Sequence, residues 1–498
     1  MRRSRPAIPF RLSATAAALV MLAGCTVGPD YEQPEVAQIP ESFRFEPEQT
    51  LGDADTEWWR EFGDPVLEGL IDEALRNNYD VRIAAARVEE FAARVGITRS
   101  AAFPQVEYGA GGERSQNSRE LAAGRAPGAE RISDFFNANL NVGWELDLWG
   151  RIRRSEEAAI AQLLSAEESR RGVILTLVTG VATGYVGLRS LDEQLAIAQE
   201  RLETRKETLD LFELRAERGV ISDLEVAQVR SEYERTATTI PQIEREIAQL
   251  ENSLSVLLGR APGPIPRGAR IDSILIPAVP PGVPAELLRR RPDLRAAEQD
   301  LVAANALVGA AVAEFYPRVS LTGLFGFASD DLSDLLSSSA SIYNLAANIA
   351  GPIFTAGRLE GQVDAAEAAT DAALNTYINA ILVAFRETED ALVVLRTTRD
   401  ELEAQTRQVD ALAAYTELAE LRYDNGYVDY IEVLDAERDL FDTRLENTRL
   451  QADRIASVIG VYKALGGGWV EIAETTSNRA ETERAEADAT RTNENGPS

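Results

Sequence analysis

The chain has 498 residues, 81 acidic side chains against 51 basic ones, and a formal charge of −30. That balance excludes nucleic acid as a partner, because phosphate binding needs clustered Lys and Arg. Histidine is absent and Cys25 is the one cysteine. Ser-His-Asp triads, imidazole acid/base chemistry, Cys/His zinc sites and internal disulfides are therefore excluded together. Scaffold, binding protein and channel remain; carboxylate chemistry stays open with no motif that points to it, and no enzyme, cofactor or metal site is expected.

The first 24 residues read as a targeting segment. Arg2, Arg3, Arg5 and Arg11 precede an apolar stretch, Leu12 to Met21, that is too short to cross a bilayer. Leu22-Ala23-Gly24-Cys25 then has the pattern of a bacterial lipobox, whose cysteine is acylated and becomes the new N-terminus. The alternative is an ordinary secretory signal with an accidental cysteine. Removing residues 1–24 deletes four arginines and moves the charge from −30 to −34. Thr26, in place of Asp, resembles lipoproteins sorted to the outer membrane. No later run approaches 18 apolar residues, so no helix is expected to span the inner membrane.

The chain repeats itself. Gly150-Arg151-Ile152 returns as Gly357-Arg358-Leu359, Leu214-Arg215 with Gly219 as Leu421-Arg422 with Gly426, and Leu258-Gly259 as Leu465-Gly466, all 207 positions apart. Upstream, Asp80-Val81-Arg82 matches Asp293-Leu294-Arg295, and Phe103-Pro104 matches Tyr316-Pro317, both 213 apart. The difference falls in a Gly/Ala/Arg-rich insert around Glu120 to Glu130. The predicted divisions are residues 76–260 for the first copy, a Pro-rich connector at 261–286, and 287–470 for the second. An acidic disordered tail is expected at 471–498.

Each copy opens with an alanine-rich helix, Ala84 to Arg99 and Ala296 to Ala313, ended by Phe103-Pro104 and Tyr316-Pro317. A strand pair follows. Phe136, Ala138, Leu140, Val142, Trp144, Leu146 and Leu148 alternate with Asn137, Asn139, Asn141, Gly143, Glu145 and Asp147; Val106 to Gly112 is the weaker partner. In the second copy Val319, Leu321, Phe325 and Phe327 share one face, and Tyr343, Leu345, Ala347, Ile349 and Ile353 another. A soluble sandwich strand also alternates, but the length suits a membrane strand of about 9–11 residues. Four strands cannot close a barrel, which starts at about eight, and an open edge is costly in lipid, so oligomerisation is expected.

Long helices come next. Arg153 to Arg218 would span about 99 Å at 1.5 Å per residue. Leu195, Leu202, Leu209, Leu211 and Leu214, and then Leu402, Val409, Leu412, Leu418 and Leu421, give coiled-coil-like stripes. Both helices break at a glycine, Gly219 and Gly426. Return arms follow over Asp223 to Leu258 and Tyr430 to Leu465, so each copy ends in a helical hairpin with a tight tip.

These motifs together resemble the outer-membrane efflux channels of the TolC/OprM type, in the lipoprotein branch that partners resistance-nodulation-division pumps. The matching residues are Leu22-Ala23-Gly24-Cys25, Gly28-Pro29-Asp30-Tyr31, Trp58-Trp59 with Phe62-Gly63-Asp64-Pro65, Trp144 to Arg151, Val279-Pro280-Pro281-Gly282, Arg289-Arg290-Arg291-Pro292-Asp293 and Tyr462 to Trp469. The resemblance implies a homotrimer in the outer membrane. Each chain would lend four strands to a 12-stranded β-barrel and its helices to an α-barrel tunnel, with residues 25–75 as an acylated N-terminal and equatorial region. It implies a passive duct for drugs or other toxic small molecules, working with a periplasmic adaptor and an inner-membrane pump. A type I protein-secretion duct and a structural coiled-coil envelope lipoprotein remain as alternatives; the latter would need the helices but not the alternating strands.

Three sets of residues carry that function. Cys25 would hold the lipid. The tips, Gly219 and Val220 in one hairpin and Gly426, Tyr427 and Val428 in the other, would dock the adaptor, because exposed apolar side chains at a tip need a partner. Ile431, Asp435 and Arg438 stand at i, i+4 and i+7 on the last return arm, with Glu432 beside them. On a lone helix they form a solvated face. Around a threefold axis Asp435 becomes a ring of carboxylates and Ile431 an apolar constriction. The resemblance implies the same role, since the family's periplasmic aperture maps its aspartate onto Asp435, its leucine onto Ile431 and its arginine onto Arg438.

Overall fold

A computed structural model describes residues 26–34, 43–45, 57–116, 118, 132–277 and 284–467. Cys25, the whole Glu120 to Glu130 insert, Val279 to Gly282 and the acidic tail lie outside the described residues. The elements are α1 (Pro65–Asn77), α2 (Tyr79–Ser100), β1 (Gln105–Gln116), β2 (Ile132–Leu146), α3 (Arg151–Glu217), α4 (Asp223–Leu257), α5 (Pro284–Arg290), α6 (Pro292–Ala313), β3 (Arg318–Ser329), β4 (Ser341–Ala350), α7 (Arg358–Asp424) and α8 (Tyr430–Ala464). The chain is mainly helical, with one four-stranded sheet. Helices α3 and α7 have 67 residues each and α4 and α8 have 35 each. The opening helices α2 and α6 begin earlier than their alanine-rich centres suggest. Asn78 is the reason for α2, because its side chain accepts from the amides of Asp80 and Val81 at 2.8 and 3.1 Å.

Two compact units divide the described residues. The first, drawn from 1–35, 87–166 and 297–377, holds the sheet. Its strands are antiparallel in the order β1-β2-β3-β4, leaving β1 and β4 as edges. The register puts Tyr108, Leu140, Phe325 and Tyr343 in one row across all four strands, with Trp144, Leu321 and Ala347 in another on the same face. These side chains are bare: Tyr108 is 89% exposed and Tyr343 79%. The opposite face carries Glu107, Asn137, Asn139, Asn141, Asn344 and Asn348. Asn139 and Asn137 lie flat over Gly109 and Gly111, where an added Cβ would meet their Oδ1 at 3.1 and 2.8 Å. One face is thus apolar and unburied and the other amide-rich, the reverse of a sheet that covers a soluble core. Two expected strand residues, Leu148 and Ile353, fall beyond the ends of β2 and β4.

Below the sheet, the Trp144 to Arg151 motif is a helix start. Asp147 accepts from the amides of Ile152 and Arg153 at 3.1 and 2.9 Å, and Glu145 pairs with Arg151 at 2.9 Å. Trp149 stacks on Tyr316 with centroids 4.8 Å apart and donates to the Pro317 carbonyl at 2.8 Å. The Gly28-Pro29-Asp30-Tyr31 segment is strapped beside it. Val27 donates to Trp149 O at 3.2 Å, Asp30 pairs with Arg154, and a Cβ on Gly28 would come within 2.3 Å of Gly309 Cα. Ala158 and Ala161 of α3 meet Ala303 and Ala306 of α6 in a close-packed alanine cluster.

The second unit takes its residues from 36–86, 167–296 and 378–498. Asp64, fully buried, caps α1 through the Val66 amide at 2.9 Å and also accepts from Tyr185 Oη at 2.6 Å and the Ala269 amide at 2.9 Å. Burial and that carboxylate push the Tyr185 phenol well above its usual range. Trp58 stacks on Tyr462 at 5.2 Å. Arg291, also buried, bonds Asp293 and Glu387 and donates to the Ala464 carbonyl at 3.0 Å, closing the end of α8. The Asp64 and Arg291 motifs are therefore structural.

Two expectations are corrected. First, α3 contains a window long and apolar enough for a membrane span, of which 56% is buried. Ile174, Val178, Val181, Tyr185 and Leu188 are core residues there, so length and composition alone do not make it a span. Secondly, the leucine stripes are only partly core. Leu209 is buried, but Leu211, Leu214, Leu418 and Leu421 are exposed, and Phe212, Thr416 and Ala419 face inward instead. Pro241 lies inside α4 without ending it, so the return arm runs unbroken as its sequence implies. The hydroxyl of Thr238 donates to the Arg235 carbonyl at 2.7 Å in the turn before it.

Candidate functional site

Both hairpin tips are built the same way. Gly219 and Gly426 have φ of +72° and +74°. At the first, the Gly219 amide bonds Ala216 O at 2.8 Å and the Val220 amide bonds Arg215 O at 2.9 Å; at the second, Gly426 bonds Tyr423 O and Tyr427 bonds Arg422 O, both at 2.9 Å. This is the Schellman arrangement, whose left-handed residue favours glycine. A Cβ on either glycine would meet nothing within 4 Å, so backbone conformation alone selects the residue. The returns differ. Ser222 and Glu225 form a reciprocal capping box at the start of α4, whereas Asp429 caps α8 without a side-chain bond.

Beneath the tips lies a core of Leu209, Phe212, Val226, Val229, Ala419, Tyr430, Val433, Leu434 and Ala436. It fixes which face of α8 points outward. Val433, Leu434 and Ala436 are buried, and Ile431, Asp435 and Arg438 lie away from them, Ile431 being 44% exposed. Asp435 and Arg438 pair at 2.9 Å, and Arg438 also reaches Asp439 at 3.4 Å. Glu432 pairs with Arg422 at 2.9 Å across the tip. The positions 207 residues earlier are Leu224, Glu225, Gln228 and Ser231, so only the second hairpin carries the acid/base pair. Val220 and Tyr427 are exposed, at 71% and 77%. Val428 is not: it is half-buried, which corrects the expectation of a third bare tip residue.

A charge cluster under the tip was missed in the sequence. Glu437 of α8 pairs with Arg201 at 3.1 Å and with Arg205, both on α3. The Arg205 side chain is 2% exposed. Burial lowers its pKa, and the Glu437 charge opposes that. Burial, then Glu437, raises Glu420 on α7 and pushes the Tyr430 phenol up to about 12. The one signal was Arg201 and Arg205, four apart and flanking Leu202.

The profile of the outer membrane efflux protein family matches residues 70–260 and again residues 283–467. The chain belongs to the outer membrane efflux protein family. It is 39% identical over 459 residues to the solvent efflux pump outer membrane protein SrpC of Pseudomonas putida, covering 91% of this chain and 97% of SrpC. Among solved structures, CusC superposes with a TM-score of 0.80 at 34% identity, over 89% of this chain and all of that one. The open state of the Neisseria gonorrhoeae outer membrane channel MtrE superposes with 0.81 at 32% identity, over 89% of this chain and 99% of that one. This outer membrane efflux protein is a channel of an efflux system, located in the outer membrane. Its family consists of transport ducts rather than enzymes.

Proposed function

We propose that the protein is a lipid-anchored homotrimer that forms a passive duct for small toxic molecules across the periplasm and outer membrane. Three sheets of four strands would close a 12-stranded barrel, and three pairs of hairpins would line an α-barrel tunnel. The observation that carries this reading is the sheet: an exposed apolar face, an amide-rich opposite face and two open edges. In lipid those edges leave backbone groups unpaired unless other strands cover them. The equal lengths of α3 and α7, and of α4 and α8, together with the double family match, support an internal duplication with copies near 76–260 and 287–470.

The remaining roles follow from placement. Cys25, outside the described residues, would carry the acyl chains one residue before Thr26. The tips would take the helical hairpin of a periplasmic adaptor at Gly219, Val220, Gly426, Tyr427 and Val428, and through it an inner-membrane pump of the resistance-nodulation-division class. Ile431, Glu432, Asp435 and Arg438 would form the periplasmic aperture, the only one of the two hairpin returns with an acid/base pair. The likeness to a solvent efflux pump protein supports small toxic molecules as cargo. The test is accumulation of a fluorescent solvent-like dye in cells lacking this chain. Complementation should lower accumulation to the original level; unchanged accumulation with the chain inserted and its pump present contradicts the reading.

A further inference from the structure

Helix α8 ends against the start of α6, and a cavity of about 370 Å³ lies at that junction, between α3 and α7. Its lining belongs to the second unit alone. The size falls within the range of about 300–1,000 Å³ of small-molecule sites. Gly172 of α3 and Gly460 of α8 face it, and a Cβ on either would meet nothing within 4 Å. Glycine weakens a helix interior, and neither of these has a positive φ to justify it. Leu175, Pro292 and Ala464 supply an apolar wall. The cavity opens on one defined side of the helices. Tyr185 of α3 turns to Asp64, Tyr462 of α8 to Trp58, and Glu389 of α7 to the Arg44 amide. Thr176, about two and a half turns before Tyr185, points the opposite way, as do Gly460 and Glu387, each two residues from the contact on its own helix. In the tunnel proposed above that side is the lumen, so access from the duct rests on that reading; the cavity itself does not.

The wall carries both signs of charge. Arg291 donates to Asp293 at 2.8 Å, to Glu387 at 2.6 Å and to the Ala464 carbonyl at 3.0 Å. Arg386 also reaches Glu387, at 3.8 Å, but stands equally far from Asp390. Three carboxylates thus share two guanidinium groups, and Asp293 and Glu387 are 54% and 43% exposed. Lys463, exposed, brings an ammonium group to the same cavity, with no carboxylate of the described residues paired to it. The first repeat shows that such a junction does not need these charges. The positions 213 before Arg291 and Pro292 are Asn78 and Tyr79, and those 207 before Gly460 and Lys463 are Ser253 and Val256. There Asn78 donates to the Leu257 carbonyl at 2.9 Å, the equivalent of Arg291 on Ala464, with a neutral side chain. We infer that the cavity binds zwitterionic amphipathic small molecules, their cationic group at Asp293 and Glu387, their anionic group at Lys463 and their apolar body against Leu175, Pro292 and Ala464. A molecule with one charge leaves either Lys463 or the carboxylates unmatched, so full affinity needs both charges. In the duct this makes a station on the wall for zwitterionic cargo, in a chain whose net charge of −30 repels an anion elsewhere.

The test is fluorescence titration of the full chain, purified in detergent, with three probes that share one fluorophore: Nε-dansyl-lysine, which is zwitterionic, dansylglycine, which is anionic, and dansylcadaverine, which is cationic. Dansyl-lysine should bind with a blue-shifted emission and roughly tenfold more tightly than either singly charged probe. Lys463→Gln should weaken dansyl-lysine and dansylglycine roughly tenfold and leave dansylcadaverine unchanged, while Lys463→Arg keeps most of the affinity. Gly172→Leu, which fills the cavity from a position with open space around its Cβ, should weaken all three. Equal affinity for the three probes, or dansyl-lysine binding that neither Lys463→Gln nor Gly172→Leu alters, overturns the site. Binding of this pattern in a protein that passes no current keeps the site and removes its place in a duct; a conducting channel that binds none of the probes keeps the duct and overturns the site.

Discussion

Replacing Glu437 by Gln removes one charge from beneath the tip and changes little else in shape. The carboxylate holds Arg201 at 3.1 Å and Arg205, and the two side chains of the tighter pair are 10% and 2% exposed. Without it the two guanidinium groups repel each other, with only the weaker attraction of Glu232 on Arg205 and of Glu420 on Arg201 left, and Arg205 cannot reach water. Breaking a buried pair from one side costs about 3–5 kcal/mol. The exposed pair between Arg230 and Glu213, 57% and 40% exposed, is the control, since Glu213→Gln should cost under about 1 kcal/mol. At about 1.4 kcal/mol per tenfold, local opening should become at least ~100-fold more frequent in Glu437→Gln and under ~5-fold more frequent in the control. Amide hydrogen exchange of peptides covering 201–209 and 430–440 measures this. Exchange in Glu437→Gln that matches the control refutes the reasoning. Arg205→Met with Glu437→Leu should restore most of the protection, because well-packed apolar side chains can replace a buried ion pair at little cost.

Gly426→Asp should leave an inserted oligomer and abolish export, because its Cβ meets open space and the left-handed backbone costs only about 1–2 kcal/mol; export assays beside a heat-modifiability gel check both halves. Ile431→Ala with Asp435→Ala should enlarge single-channel conductance and weaken cation selectivity without changing assembly, since the exposed Asp435 and Arg438 pair contributes under about 1 kcal/mol to folding. Glu420 titrates above the usual glutamate range because burial, then Glu437, disfavours its charge. Its ionised form therefore costs stability above that raised pKa and nothing below the unfolded one, so Glu420→Gln should stabilise the tip at pH 7, with the gain fading as pH falls through the raised pKa.

Local chemistry was legible in the sequence, and long-range geometry was not. Gly219 and Gly426 were readable as helix ends because the need for positive φ is a property of one residue. The alternation from Phe136 to Leu146 was readable because period two needs no partner. The leucine stripe was misplaced at Leu211, Leu214, Leu418 and Leu421, because heptad spacing gives a period without saying which neighbouring helix fills which side. Threonine and alanine at 416 and 419 took the interior, letting the helices approach. The cluster of Arg205 and Glu437 was hidden for another reason. Its members are 232 positions apart, and an arginine among glutamates reads as a solvated face until the fold buries it. Ile431, Asp435 and Arg438 share one side of α8, with Asp435 on Arg438 at i, i+3, as their spacing implies, but the face of Val428 depended on packing that no spacing encodes.

The central claim is that copies of this chain close a membrane-crossing barrel into an export duct. Single-channel recording of the purified, detergent-extracted protein in a planar lipid bilayer tests it most directly. The account predicts discrete, cation-selective steps of one small resting amplitude, from a species whose mass corresponds to three chains. An inserted three-chain species that passes no current, even after Ile431→Ala with Asp435→Ala, would contradict it.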